Sequence, residues 1–118
     1  MKNSLLYMCL LMGQIAWSQC TNSKPMSSKD FKVQLKVIQS AEFMDTRQQL
    51  SKGLLKENCI SVKQLKEVLA LFDFEETKMK VAKQAYLSVV DRQNFRTIYS
   101  LFKHEHHVRE IETYIQGL

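Results

Sequence analysis

The stretch FDFEETKMKVAKQAY, Phe72 to Tyr86, has a faint double upstream in FMDTRQQLSKGLL, Phe43 to Leu55. Placing Phe43 on Phe74, at an offset of about 31 residues, pairs Asp45 with Glu76, Thr46 with Thr77, Arg47 with Lys78, Leu50 with Val81 and Lys52 with Lys83. At an offset of about 30, Leu65, Val68, Leu71 and Phe72 fall on Phe95, Ile98, Leu101 and Phe102. Such repetition marks a stack, in which each unit buries an apolar stripe that it cannot cover alone. The unit is a helical hairpin, and copies opening near Ser28, Ser61 and Asp91 are expected to lean together.

The flanking sequence continues in helical phase. SSKDFKVQLKVIQSA places Phe31, Leu35 and Ile38 on one stripe, with Ser28 opening it in the manner of a capping box. Phe43, Leu50 and Leu54 keep the same phase, although Gly53 weakens a helix interior by about 1 kcal/mol relative to Ala. ENCIS breaks the pattern. Ser61 then caps a segment with Val62, Leu65, Val68, Leu69 and Phe72 inward. Asp73 with Glu76 reads as a second capping box, before a helix carrying Phe74, Val81, Ala82, Ala85, Tyr86 and Val89. Asp91 caps the next, with Phe95, Ile98, Tyr99 and Phe102 inward, and the aromatic residues Phe72, Phe74, Phe95, Tyr99 and Phe102 read as core. After the junction KHEHH, Val108, Ile111, Ile115 and Leu118 form a last amphipathic segment, with Gly117 as its terminator. One Pro and no sustained alternation of apolar and polar residues argue against a sheet. The expected fold is all-α, a compact stack of about three helical hairpins built from five or six helices over residues 28–118.

The N-terminus reads differently. MKNS, then the apolar LLYMCLLM, then GQIAWS with small residues at Ala16 and Ser18, is the order of a secretory signal peptide. Cleavage is expected after Ser18, leaving residues 19–27 as a flexible polar tail. A membrane span needs roughly 20 apolar residues, and Gln14 interrupts this run too early. Cys20 offers an alternative, a lipoprotein cut just before a lipidated cysteine, but Trp17 and Gln19 depart from the lipobox pattern. Cys59 is expected to be a small buried apolar residue rather than half of a disulfide with Cys20.

About 100 residues remain for one core. The 118-residue chain carries 17 Lys+Arg against 12 Asp+Glu, a net charge of +5 scattered along its length. Nucleic-acid binding would concentrate those charges in a stripe, so no nucleic-acid partner is expected. The run LFDFEETKMKVAKQAYLSVVDRQNF, preceded by FMDTRQQLSK and ISVKQLKEVLALF, resembles the helical family known as domain of unknown function forty-four seventy-six, found mainly in exported bacterial proteins. F-x-x-x-K/R helix starts, an AK-x-AY segment and the following Asp91 carry the resemblance over roughly Phe31 to Ile115. It implies fold and export, and it brings no catalytic residue with it.

One constellation suggests chemistry. In KHEHHVRE, His104 and His107 are three apart, and His106 and Glu110 four apart, so each pair would share a helix face. Neither pair supplies the three or four ligands of a zinc site, and the expectation is a solvated helix start, with a weak metal site as the alternative. HEHH also departs from the Ser-rich junction that the family resemblance implies. Asp45, Arg47, Glu76 and Lys78 form a second set: equivalent charges on equivalent hairpins would line one rim and present a patterned face to a protein partner. Lys83, Tyr86 and Asp91 are expected to join in a local network. With three Gly residues a phosphate-cradling loop is not expected, and no nucleophile, acid–base pair or cofactor motif stands out. The sequence therefore points to a non-enzymatic exported module that presents a surface to an envelope protein.

Overall fold

The first two hairpins begin where a serine side chain satisfies the free amides of a helix start. In the computed structural model, which describes residues 20–118, the Ser27 hydroxyl accepts from the Asp30 N–H at 3.1 Å and opens α1, Ser28–Ser40. Ser61 opens α3, Val62–Leu69, through a complete capping box with Gln64: the Gln64 N–H donates to the Ser61 hydroxyl, and Gln64 Oε1 accepts from the Ser61 N–H. Asp91 precedes the third unit, but its carboxylate does not cap its own helix. Oδ1 accepts from the Val62 N–H at 2.9 Å, so Asp91 supplies an acceptor to the first amide of α3 in the preceding hairpin.

The returning arms are α2, Met44–Glu57, α4, Glu75–Ala85, and α5, Glu105–Gln116. A 3-10 turn, η1, Tyr86–Ser88, follows α4, and the first arm of the third hairpin is a 3-10 helix, η2, Arg92–Leu101. Ten residues of 3-10 helix are unusual, and the sequence has a reason for them. Phe95, Ile98 and Leu101 recur at a period of three, as a 3-10 helix requires. On the outside Thr97 and Ser100 donate their hydroxyls to the carbonyls of Asn94 and Thr97, each three residues back.

Three hairpins, 28–57, 62–85 and 92–116, thus stack in two layers. First arms α1, α3 and η2 line one layer, and second arms α2, α4 and α5 line the other. The linkers between them also line up: the Met26 N–H donates to Cys59 O, the Ile60 N–H to Ser88 O and the Val90 N–H to Ile60 O, with Ile60 and Val89 in a parallel bridge. Between the layers lie Phe31, Ile38, Leu54, Leu65, Leu69, Phe72, Val81, Phe95, Ile98 and Ile111, all buried. Removing a side chain such as Leu65 or Ile98 from water contributes about 1.5–3 kcal/mol, which explains why the stripe residues fix the stack. Among the described residues the fold is all-α, and no helix is long and apolar enough to cross a membrane.

Several expectations need correction. The polar segment after Gln19 is tied down: Cys20 is bonded to Cys59, the Asn22 N–H reaches Val90 O, and Gln64 Nε2 donates to Met26 O at 2.9 Å. Cys59 is therefore half of a disulfide, because the linker alignment brings residues 20–27 back across the stack. The Asp73–Glu76 box does not form, since Phe74 occupies the cap position and makes no side-chain cap bond. Phe43, Phe74 and Leu50, read as inward, are exposed. Lys83, Tyr86 and Asp91 go to separate partners: Lys83 to Glu110, Tyr86 to the rings and guanidinium of Phe95 and Arg92, and Asp91 to Val62 and Asn94. The expected signal peptide and its cleavage site lie outside the described residues.

Candidate interaction surface

The starts of α2, α4 and α5 lie along one edge of the stack, and two basic side chains hold them there. Arg47, in the first turn of α2, donates from Nε to Ala41 O, from Nη2 to Gln39 O and from Nη1 to Leu71 O, each at 3.0 Å. These acceptors close α1 and follow α3, so one guanidinium satisfies the negative C-terminal ends of two first arms. Lys78, its counterpart in α4, donates from Nζ to Leu101 O at 3.4 Å, at the end of η2. The repeat thus preserves a contact, a cation from each second arm reaching the end of the next first arm. Arg47 and Lys78 are half-buried, and their charges belong to the scaffold.

Asp45 and Glu76 remain exposed on that edge. They belong to a motif that the pairwise alignment understated: Glu42-Phe43-Met44-Asp45-Thr46 and Asp73-Phe74-Glu75-Glu76-Thr77 are two copies of acid–Phe–x–acid–Thr. In both copies the Phe is the helix N-cap, in extended conformation, and its side chain bonds to nothing there. Phe43 is 71% exposed and Phe74 68%. First-turn acids are explained by the helix dipole; two exposed phenyl rings at equivalent caps are not. An apolar residue is a poor N-cap, so Phe43→Ser and Phe74→Ser should each raise stability by about 0.5–1 kcal/mol, measurable as a shift of the urea midpoint. A loss of stability in both would show that the rings serve packing.

At the third station the sequence changes to Lys103-His104-Glu105-His106, with His104 as N-cap. Here Glu75 acts. Its Oε1 accepts from the His104 N–H at 2.8 Å and lies 2.9 Å from His107 Nδ1, and Oε2 accepts from the Lys103 N–H at 3.0 Å. An ionised carboxylate only accepts, so the proton between them sits on His107 Nδ1. Burial alone pushes the Glu75 carboxyl up. The His107 bond, the two amide bonds and the charge of His104 together outweigh it and hold the group at about 2, against an ordinary 4.5. A folded value below the unfolded one gives a contribution present above about pH 4.5 and lost as pH falls towards 2. The protection factors of the Lys103 and His104 amides, the slowing of their exchange relative to an unstructured peptide at the same pH, should therefore fall over that window, and a Glu75→Gln variant should show low protection at neutral pH already.

The histidine rings stand close together, with centroids 4.1 Å apart for His106 and His107 and 5.6 Å for each with His104. Glu110, however, turns to Lys83 at 3.5 Å and both border an open cleft with His106, Arg109, Thr113 and Tyr114. Among the described residues no three His, Cys, Asp or Glu side chains are arranged to hold a metal ion. On the other side of α5 a smaller cleft of about 150 Å³ lies between η2 and α5, bordered by Tyr86, Phe95 and Tyr99. These rings meet edge to face, as core aromatics do.

Compared with known proteins, the chain matches the model of the family described as Domain of unknown function (DUF4476) over residues 25–115. No curated protein and no solved structure matches it.

Proposed function

We propose, from the premise that the chain belongs to the family Domain of unknown function (DUF4476), that it is an exported, non-catalytic module of the bacterial cell envelope which binds another protein through the edge around Phe43 and Phe74. The observation that carries this reading is the duplicated pair of exposed rings at helix caps, where a polar residue would serve the fold better. Exposed aromatic side chains are favoured anchors in protein interfaces. Export is supported by the basic, apolar, small order of the N-terminus. A disulfide between Cys20 and Cys59 suits an oxidising compartment, and a sulfur bonded to Cys59 has no valence left for a lipid thioether. The soluble exported form is thus preferred to the lipoprotein.

Affinity capture from envelope extract tests the reading. The wild-type protein should retain a specific partner that the Phe43→Ser, Phe74→Ser double variant loses, although the variant is folded and at least as stable. An identical set of captured proteins for both would end the assignment to this edge.

A further inference from the structure

The two acid–Phe–x–acid–Thr stations have the makings of cation sites. In each, an exposed phenyl ring is flanked in sequence by two exposed carboxylates, Glu42 and Asp45 at the first and Asp73 and Glu76 at the second. No Lys or Arg lies within either five-residue motif, and the next cations along the chain, Arg47 and Lys78, are engaged with backbone carbonyls; at the second motif the Lys103 N–H and His107 Nδ1 meet Glu75, which leaves Asp73 and Glu76 exposed. On a chain of net charge +5, each motif is therefore a locally acidic stretch around an exposed phenyl ring. A guanidinium or ammonium gains from both parts at once. Its charge meets the carboxylates and the electron-rich ring face, and its aliphatic stem covers the exposed phenyl surface.

Spacing adds a second constraint. α2 and α4 pack side by side, joined by the bond from Gln84 Nε2 to Lys52 O, and by Ser88 Oγ on Leu55 O from the turn after α4. Packed helices lie about 8–10 Å apart. An extended polyproline-type segment returns to the same face every third residue, after about 9.3 Å. We infer that the edge formed by Phe43, Phe74 and their flanking carboxylates binds a short extended segment of a partner protein bearing two Arg or Lys side chains three residues apart, one head at each station. The third station, with Lys103 and His104 in place of acid and Phe, takes no part. This rests on the reading that the edge binds protein, and it adds the chemistry of what is bound.

The probe is a fluorescent peptide with an Arg-Ala-Pro-Arg centre and neutral flanks, titrated by anisotropy with the protein as purified from its host, disulfide intact. Binding should weaken at least about fivefold between 0.05 and 0.5 M salt, and at least about tenfold in the Phe43→Ser, Phe74→Ser double variant. A version with Glu for both Arg should not bind. Equal affinity for wild type and double variant would reduce the effect to bulk charge and overturn the inference. So would equal binding of a Leu-for-Arg peptide, no binding at millimolar peptide, or self-association of the protein in sedimentation that the double variant abolishes. If the peptide fails while the double variant still loses its envelope partner, the ligand chemistry falls and the edge stands; if both experiments are indifferent to the rings, both fall.

Discussion

Replacing Cys20 and Cys59 together by Ser lowers stability by about 4 kcal/mol, the chain-entropy value for a cross-link spanning 39 residues. The bridge ties residues 20–27 across the linkers, and its loss also frees the Met26–Cys59 and Gln64–Met26 bonds. Urea unfolding with and without reductant measures this directly, the double variant serving as the control that reductant should not affect. A midpoint unchanged by reductant would mean that the two sulfurs are not joined in the folded protein. The same comparison bears on address, because a protein that leans this heavily on a disulfide is poorly suited to a reducing compartment.

Arg47→Met should cost about 3 kcal/mol, roughly 15 °C in melting temperature for a domain of this size. The substitution keeps the aliphatic stem, so the loss reports the three carbonyls of Gln39, Ala41 and Leu71 that lose their charged donor. Lys78→Met removes one bond of 3.4 Å and should cost about 1 kcal/mol or less. The ratio between the two variants matters more than either value. Equal small effects would indicate that the guanidinium is an ordinary surface charge, and that the joint between the first and second hairpins is held by apolar contact alone.

The architecture was largely legible because burial writes itself into periodicity. Phe31, Ile38, Leu65, Val68, Leu69, Phe95 and Ile98 recur with the spacing of a helix face and are all buried. Ser61 was legible as a cap, though its partner Gln64 was not read; the first helix is capped by Ser27 rather than by the expected Ser28, and Asp91 turns its carboxylate to the preceding hairpin. The edge was misread for a physical reason. Phe43 and Phe74 stand one residue before their helices, so their phase with the following stripe is accidental, and an extended cap turns their side chains away from it. Arg47 was placed on the surface because a charge usually is; only the path of α1 and α3 brings three carbonyl ends to it. The Cys20–Cys59 bond left no trace in either pattern, since the segment around Cys20 has no periodicity and its position depends on the stacking of linkers 38 and more residues away. Export and a protein partner are expectations from the sequence, and the two five-residue motifs are where the proposed function puts the second of them.

The 3-10 form of η2 sets a length. Ten residues at about 2.0 Å each reach about 5 Å further than the same residues wound at 1.5 Å. That difference is larger than the 2.8–3.0 Å bonds by which Glu75 grips the Lys103 and His104 amides directly after it. Relaxation of this rod into the wider, shorter α form would draw the beginning of α5 back beyond the carboxylate's grasp, so the period of three in Phe95, Ile98 and Leu101 acts as a gauge that decides where the last helix can begin.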